Sequence, residues 1–229
     1  TVIPRGSRLP TLRVTAIWFI GPTCYLWSVV FLPVGLAALL FYTFPLIVAA
    51  ISHFQEGARL GPMRVGAFLL AFTGLVIALS PSLSELDWRG ITLAFLAAVS
   101  TAVTFILSRR LVSELGVFTF TLYMSAGSVV LIMGVILLVG GIALPQNTIG
   151  WTGLSGAAFG FVVGILAMFT AIKYVGSAAA AMLLNLEPLI SILAAALVLG
   201  ERLTMLQLTG AIMVVSALIL STRERVKHS

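Results

Sequence analysis

Charge is what this sequence has least of. Only 9% of the 229 residues are charged, whereas 60% are hydrophobic, and the mean hydropathy is +1.17. Water-soluble domains contain about a quarter charged residues, so the composition excludes that class. The net charge of +6 includes no basic cluster interleaved with aromatic residues, which argues against nucleic-acid binding.

Cysteine and histidine are also scarce, and this restricts the chemistry. Cys24 is the single cysteine, so an internal disulfide cannot form. The two histidines, His53 and His228, have no partners at the spacing that metal ligands require, and no phosphate-binding glycine loop is present. The sequence therefore predicts neither a metal site nor a cofactor.

Long apolar runs dominate what is there. A helix that crosses a membrane needs about 20 mainly apolar residues, and strands of a membrane barrel would instead alternate polar and apolar residues. Eight runs meet the helical pattern, which predicts an all-α integral membrane protein. The runs are Leu12–Leu32, Leu36–His53, Met63–Leu79, Ile91–Ser108, Phe118–Val139, Thr152–Tyr174, Ala178–Leu199 and Met205–Ser221.

Basic residues are distributed unequally between the two ends of these runs. If the runs alternate in direction, eleven basic residues fall on one side of the membrane and only Arg89 and Arg202 fall on the other. Short loops rich in lysine and arginine face the cytoplasm. The pattern predicts a cytoplasmic C-terminus, with a basic tail over residues 223–229 that lies near anionic lipid headgroups.

One segment of the sequence occurs twice. FYTFPLIVAAISHFQEGARL at residues 41–60 and LNLEPLISILAAALVLGERL at residues 184–203 share a Pro-Leu-Ile helix and a Gly-x-Arg-Leu exit, 143 positions apart. The second copy contains five predicted helices. Since five is odd, the two copies cross the membrane in opposite directions, as the inverted repeats of secondary transporters do. We predict a first repeat over residues 1–80 and a second over residues 88–222.

The two copies differ in length. The first shows three helices where the second shows five, and Leu12–Leu32 aligns with the third helix of the second copy. We therefore expect a ten-helix fold in which this sequence supplies about eight helices, the first two being absent through truncation or a misassigned start. A native eight-helix protein is the alternative.

Two segments resemble a known family. They are YLWSVVFLPVGLAALLFYTFPLIVAAI at Tyr25–Ile51 and AIKYVGSAAAAMLLNLEPLISILAAALVLGERLTMLQLTG at Ala171–Gly210. Both resemble the paired EamA domains of the drug/metabolite transporter superfamily. The first unit departs from the pattern, since Gly57-Ala58-Arg59-Leu60 lacks the acid that follows glycine in Gly200-Glu201-Arg202-Leu203. The resemblance implies two inverted five-helix units around a central cavity that moves small organic metabolites, often outward.

Glu187 is the only carboxylate deep inside a predicted membrane helix. Placing an ionisable residue at that depth costs free energy, so such a residue usually faces the bundle interior or a water-filled cavity. It is therefore a candidate for binding substrate or a proton. The alternative is a structural carboxyl group hydrogen-bonded to helix ends. Ser191 lies one turn later and shares the face of Glu187.

Pro45 and Pro188 occupy equivalent positions inside the two copies of the repeated helix. Each proline removes an amide donor, which is expected to free the carbonyl groups of Phe41 and Leu184. Paired breaks of this kind mark binding sites and hinges in transporters, although a packing kink is the simpler alternative.

Six further residues are candidates for the wall of a central cavity. Two lie three residues before the prolines, two are aromatic residues seven positions apart, and two belong to a polar stripe in the helix Ile91–Ser108. They are Tyr42, Asn185, Trp18, Tyr25, Ser100 and Thr104. Aromatic residues at helical spacing often serve packing, and hydroxyl groups in membrane helices often bond to their own backbone, so both alternatives stay open.

Gly156, Gly160 and Gly164 form a double Gly-xxx-Gly pattern that allows another helix to approach closely. The partner helix would belong to the same chain or to a second copy, which leaves a homodimer open. The expected partners are the lipid bilayer, a small-molecule substrate and protons. The alternatives to a transporter are an intramembrane enzyme and a non-transporting scaffold or channel.

Overall fold

The computed structural model describes residues 4–56, 61–80, 86–139, 141, 144–199 and 203–226, and within them the chain is helical with no strand. The exits at residues 57–60 and 200–202 and the tail at 227–229 lie outside the described residues. Ten helices are present in the described part. They are α1 Arg5–Phe31, α2 Val34–Phe41, α3 Phe44–Glu56, α4 Pro62–Leu79, α5 Trp88–Leu115, α6 Val117–Val139, α7 Thr148–Val175, α8 Ser177–Leu183, α9 Leu186–Leu199 and α10 Met205–Val226.

These ten helices form eight candidate membrane passages, because α2 with α3 and α8 with α9 are each one passage with a break in the middle. Six passages are long and apolar enough to cross a bilayer by the usual length criterion, and α4 and α10 contain shorter apolar stretches. The eight passages coincide with the eight predicted from the apolar runs. The prediction of an all-α membrane fold is confirmed.

Local sequence signals set the ends of the long helices. The side chain of Asp87 accepts a hydrogen bond from the backbone N–H of Arg89 at 2.8 Å and caps α5. Asn147 caps α7 in the same way, accepting from the N–H of Gly150 at 2.7 Å. Side-chain oxygens at this position satisfy amides that have no partner inside the helix. At the other end, α7 stops at Gly176, whose φ of 83° suits glycine.

The most extensive contacts between helices join the two copies of the predicted repeat. The two most extensive pairs are α4 with α10 and α1 with α5. Helices α4 and α10 are the last helices of the two copies, and they approach so closely that Gly210 lies directly against the carbonyl oxygen of Gly74. With the repeat boundaries predicted from the sequence, the first copy would comprise α1 to α4 and the second α5 to α10, and α5 and α6 would have no counterpart among the described residues of the first copy.

The helix α1 is the counterpart of α7, and the two are packed differently. Gly21 of α1 lies against α5, where an added Cβ would be 3.0 Å from Oγ1 of Thr101. Gly164 is the equivalent of Gly21 in α7, and a Cβ added there would meet no described atom within 4 Å. The face of α7 that corresponds to the α5-binding face of α1 is therefore open.

Candidate functional site

Both repeated helices break just before their prolines. The α-helical hydrogen-bond pattern is interrupted by a turn at Tyr42 and Thr43 in the first copy and at Leu184 and Asn185 in the second, and it resumes at Phe44 and Leu186. Pro45 and Pro188 thus fall in the first turn of α3 and α9, where a missing N–H removes no helical hydrogen bond. The position of the breaks follows from the prolines, although the breaks precede them by two to four residues.

One detail of the expected break is wrong. The carbonyl group of Leu184 is not freed by Pro188, because it accepts a hydrogen bond from the N–H of Glu187 at 3.0 Å. The tighter turn closes the bond one residue earlier than a regular helix would. In the first copy the carbonyl of Leu40 is bonded in a related way, by the N–H and the hydroxyl group of Thr43 at 3.2 and 2.7 Å.

A cavity of about 370 Å³ lies between the two copies, and we call it the symmetric cavity. Ten of the residues that line it form five pairs of equivalent positions, 143 residues apart. The pairs are Trp18 and Phe161, Pro22 and Ile165, Tyr25 and Met168, Phe41 and Leu184, and Phe44 and Glu187. A wall built from equivalent positions places the cavity at the interface of the inverted repeats, where transporters bind their substrates.

Aromatic rings form a continuous part of this wall. The ring of Phe41 lies 5.1 Å from that of Tyr25 and 5.4 Å from that of Phe44, measured between centroids. Phe44 in turn lies 5.4 Å from Phe105 of α5. Tilted rings at these distances are the arrangement that aromatic side chains prefer. The wall is therefore held in place by its own packing.

Glu187 stands where the first copy has Phe44, so the acid breaks the symmetry of the cavity. It lies in the first turn of α9, where the partial positive charge of the helix N-terminus favours a carboxylate. The hydroxyl group of Tyr42 faces the Glu187 carboxyl group, with which it interacts electrostatically, and both side chains line the same two cavities. The carboxylate is thus held by a neighbouring ring and by the start of its own helix.

A second cavity of about 390 Å³, the side cavity, shares Tyr25, Tyr42 and Glu187 with the first. Its remaining wall is more polar and includes Ser191 and Gln207. The hydroxyl group of Ser191 is bonded to the carbonyl oxygen of Glu187 at 3.0 Å. Glu187 and the two tyrosines therefore lie between an aromatic chamber and a more polar one.

The structure does not bring three of the sequence candidates to either cavity. Asn185 is buried at 4% exposure and is absent from both walls. Ser100 donates a hydrogen bond to the carbonyl group of Ile17 in α1, and Thr104 bonds to the carbonyl of Ser100 at 3.0 Å. Ser100 therefore joins α5 to α1, whereas Thr104 bonds within α5, and only their neighbour Thr101 reaches the symmetric cavity.

The glycine pattern of α7 has no partner among the described residues. Gly156, Gly160 and Gly164 are exposed, and a Cβ added to any of them would meet nothing within 4 Å. Their role in helix packing stays a prediction. Gly164 also borders the symmetric cavity, so this open face of α7 is continuous with the cavity wall.

Comparison with known proteins decides the family. The model of the EamA-like transporter family matches residues 88–223, which is more than half of the chain. The chain belongs to the EamA-like transporter family. It is also 30% identical over 207 residues to an uncharacterized transporter of Archaeoglobus fulgidus, covering 90% of this chain and 73% of that protein. One solved crystal structure matches it with a TM-score of 0.74 at 20% identity, over 95% of this chain and 80% of the other.

These findings show a membrane transporter of all-helical fold. The described residues contain no group of three or more histidine, cysteine or acidic side chains that would hold a metal ion. Several residues of the cavity walls were missed by sequence reasoning, among them Phe41, Phe44, Phe105 and Gln207. The first two carried a usable signal, because they are the repeat equivalents of Leu184 and Glu187.

Proposed function

We propose that this EamA-family chain is a secondary transporter that moves a small organic metabolite through the plasma membrane of a bacterium by alternating access. The observation that carries the proposal is the symmetric cavity, whose wall pairs equivalent positions of the two repeats. An inverted repeat can present one cavity to either side by exchanging the conformations of its halves. The cytoplasmic C-terminus, proposed from the charge asymmetry, sets the orientation of this cycle.

The broken helices are the proposed hinges. The breaks at residues 42–43 and 184–185 lie beside Pro45 and Pro188, and both border the cavities. A break in a membrane helix concentrates a change of backbone angles at a few residues, which lets the segments on either side tilt as rigid units. The two repeats would rock about these points, and the same residues would line the cavity throughout the motion.

Glu187 is the proposed coupling residue. Among the described residues of both cavity walls it is the only ionisable side chain other than Tyr25 and Tyr42, which donate hydrogen bonds but bear no charge when protonated. A carboxylate in such a place needs a counter-charge before the cavity closes. A proton and a substrate would compete to neutralise Glu187. The transporter would then carry the proton in one direction and the substrate in the other.

Purified protein in proteoliposomes tests the proposal with a panel of amines, amino acids and sugars. Saturable uptake of at least one compound, accelerated by a pH difference, is the expected result.

Alternating access is tested separately by thiol labelling in protein whose Cys24 has been replaced. The test variant is Met168→Cys in the symmetric cavity, and the matched control is Ile212→Cys on the exposed face of α10. We expect an impermeant thiol reagent to label Met168→Cys from either membrane face, and substrate to slow both reactions. Labelling from one face under every condition would contradict alternating access.

A further inference from the structure

We propose that the symmetric cavity selects a monovalent organic cation with an apolar or aromatic body. This inference rests on the proposed function, since it names the substrate class of the same site. The cavity wall combines one carboxylate with seven aromatic side chains.

The charge of the wall is the first argument. Glu187 is acidic, and no arginine, lysine or histidine is among the described residues that line either cavity. Glu187 is an exposed carboxylate that faces both cavities. It repels an anionic ligand and attracts a cationic one. An organic anion would therefore be disfavoured by Glu187, whereas a cation supplies a counter-charge that the described wall residues lack.

The rings are the second argument. Seven aromatic residues line the symmetric cavity. Their faces carry partial negative charge, so a cation within about 6 Å of a ring centroid is attracted, most strongly by tryptophan. Trp18 and Phe161 are repeat equivalents, and both belong to this wall. If the positively charged nitrogen of a ligand lies near Glu187, the apolar part of that ligand contacts these rings.

The small polar content of the wall is the third argument. Apart from Glu187 and the two tyrosines, the polar side-chain groups of the wall are the Trp18 indole N–H and the hydroxyl group of Thr101. A sugar or a highly hydroxylated metabolite would lose many hydrogen bonds to water on entry and regain few of them. A compact cation with an apolar body loses few hydrogen bonds to water on entry, and Glu187 compensates its charge.

The test measures binding directly, so it does not depend on transport. The probe is benzyltrimethylammonium, which keeps its charge at every pH, and the measurement is isothermal titration calorimetry on the purified protein. Benzylsulfonate has a similar shape and the opposite charge, and neopentylbenzene is the neutral carbon analogue. We expect binding of the ammonium compound and no detectable binding of the other two.

Two variants locate the site. Glu187→Gln should weaken binding of benzyltrimethylammonium at least tenfold, and Trp18→Leu should weaken it about three- to tenfold, as the loss of one cation–ring contact predicts. Trp27→Leu is the matched control, since Trp27 lies on the same helix but is 60% exposed and outside both cavities. If Glu187→Gln fails to fold, Trp18→Leu against Trp27→Leu still decides the question.

The outcomes separate this inference from the proposed function. Binding of benzylsulfonate or neopentylbenzene with equal affinity would overturn the cation selectivity, and so would undetectable binding of the ammonium compound or equal effects of Trp18→Leu and Trp27→Leu. Binding of the cation that follows the expected order of variants supports the site even if no pH-driven uptake is found. In that case the transport mechanism would fail while the cation site would stand.

Discussion

The contact between α4 and α10 gives the sharpest prediction about stability. Gly74 faces α10, and a Cβ added there would lie 2.8 Å from the carbonyl oxygen of Gly210 and 2.8 Å from Cβ of Met213. Ordinary contact begins at 3.4 Å, so the shortfall is about 0.6 Å. Neither neighbour can rotate away, because one is a backbone atom and the other is fixed to the backbone. Gly74→Ala must therefore push the two helices apart.

The magnitude follows from what this interface buries. Ala71 and Val214 are fully buried in the core cluster that these two helices share, together with Ala78 and Ala217. A gap of 0.5–1 Å forfeits about a quarter to a half of each contact energy, and overpacking of this kind costs about 1–3 kcal/mol. For a protein of this size, 1 kcal/mol lowers the melting temperature by about 2–4 °C.

The assay is thermal unfolding in one detergent, and Gly66→Ala is the matched control. Gly66 lies on α4 as well, and an added Cβ there meets nothing within 4 Å. Both substitutions gain the same helix propensity of up to about 1 kcal/mol, so the difference between them isolates the steric effect. Equal melting temperatures for Gly74→Ala and Gly66→Ala would refute the close approach of α4 and α10.

Two further predictions concern topology and the open face of α7. The topology is tested in protein whose Cys24 has been replaced. Gln146→Cys should react with an impermeant thiol reagent added outside intact cells, whereas Ser113→Cys should not. The reverse result would mean that the assigned orientation is inverted. Gly160→Leu should lower the thermal stability of the protein extracted from its native membrane more than Gly134→Leu does. Both glycines are open among the described residues, but only Gly160 belongs to a Gly-xxx-Gly pattern on which another helix is expected to pack. Equal stability of the two variants would show that the glycine pattern serves no packing role.

The helical passages could be predicted from the sequence because a bilayer imposes one strong requirement. Every backbone polar group must be bonded within the segment, so length and apolarity suffice to locate the helices. The runs at Met63–Leu79 and Phe118–Val139 agree with α4 and α6 to within a residue. The break in each repeated helix was also visible, as Pro45 and Pro188.

The cavity wall could be predicted only in part, since it depends on which helices meet. Trp18, Tyr25 and Tyr42 were found from spacing and from the repeat. Ser100 and Asn185 looked equally suitable as polar residues in apolar helices, but side-chain orientation placed them in contacts within the bundle. The repeat offset of 143 residues relates Leu184 to Phe41 and Glu187 to Phe44, and it thereby identifies two further wall residues.

The carbonyl group of Leu184 shows a different limit. Its expected release followed from the rule that proline removes the hydrogen bond to the residue four positions earlier. A local tightening of the chain satisfied the carbonyl through Glu187 instead. Such small backbone adjustments are set by the balance of neighbouring turns, which the pattern of residue types does not encode.

Accumulation driven by a pH difference, compared with exchange at equal pH, tests the central role of Glu187 most directly. In proteoliposomes at saturating substrate, Glu187→Gln should abolish pH-driven accumulation and preserve exchange, because the amide keeps the shape and hydrogen bonding of the protonated acid but has no proton to release. Glu114→Gln is the matched control, since that carboxylate is paired with Arg110 at 2.6 Å, outside both cavities. If Glu187→Gln accumulates substrate with the rate and pH dependence of the unmodified protein, Glu187 is structural and the coupling mechanism is wrong.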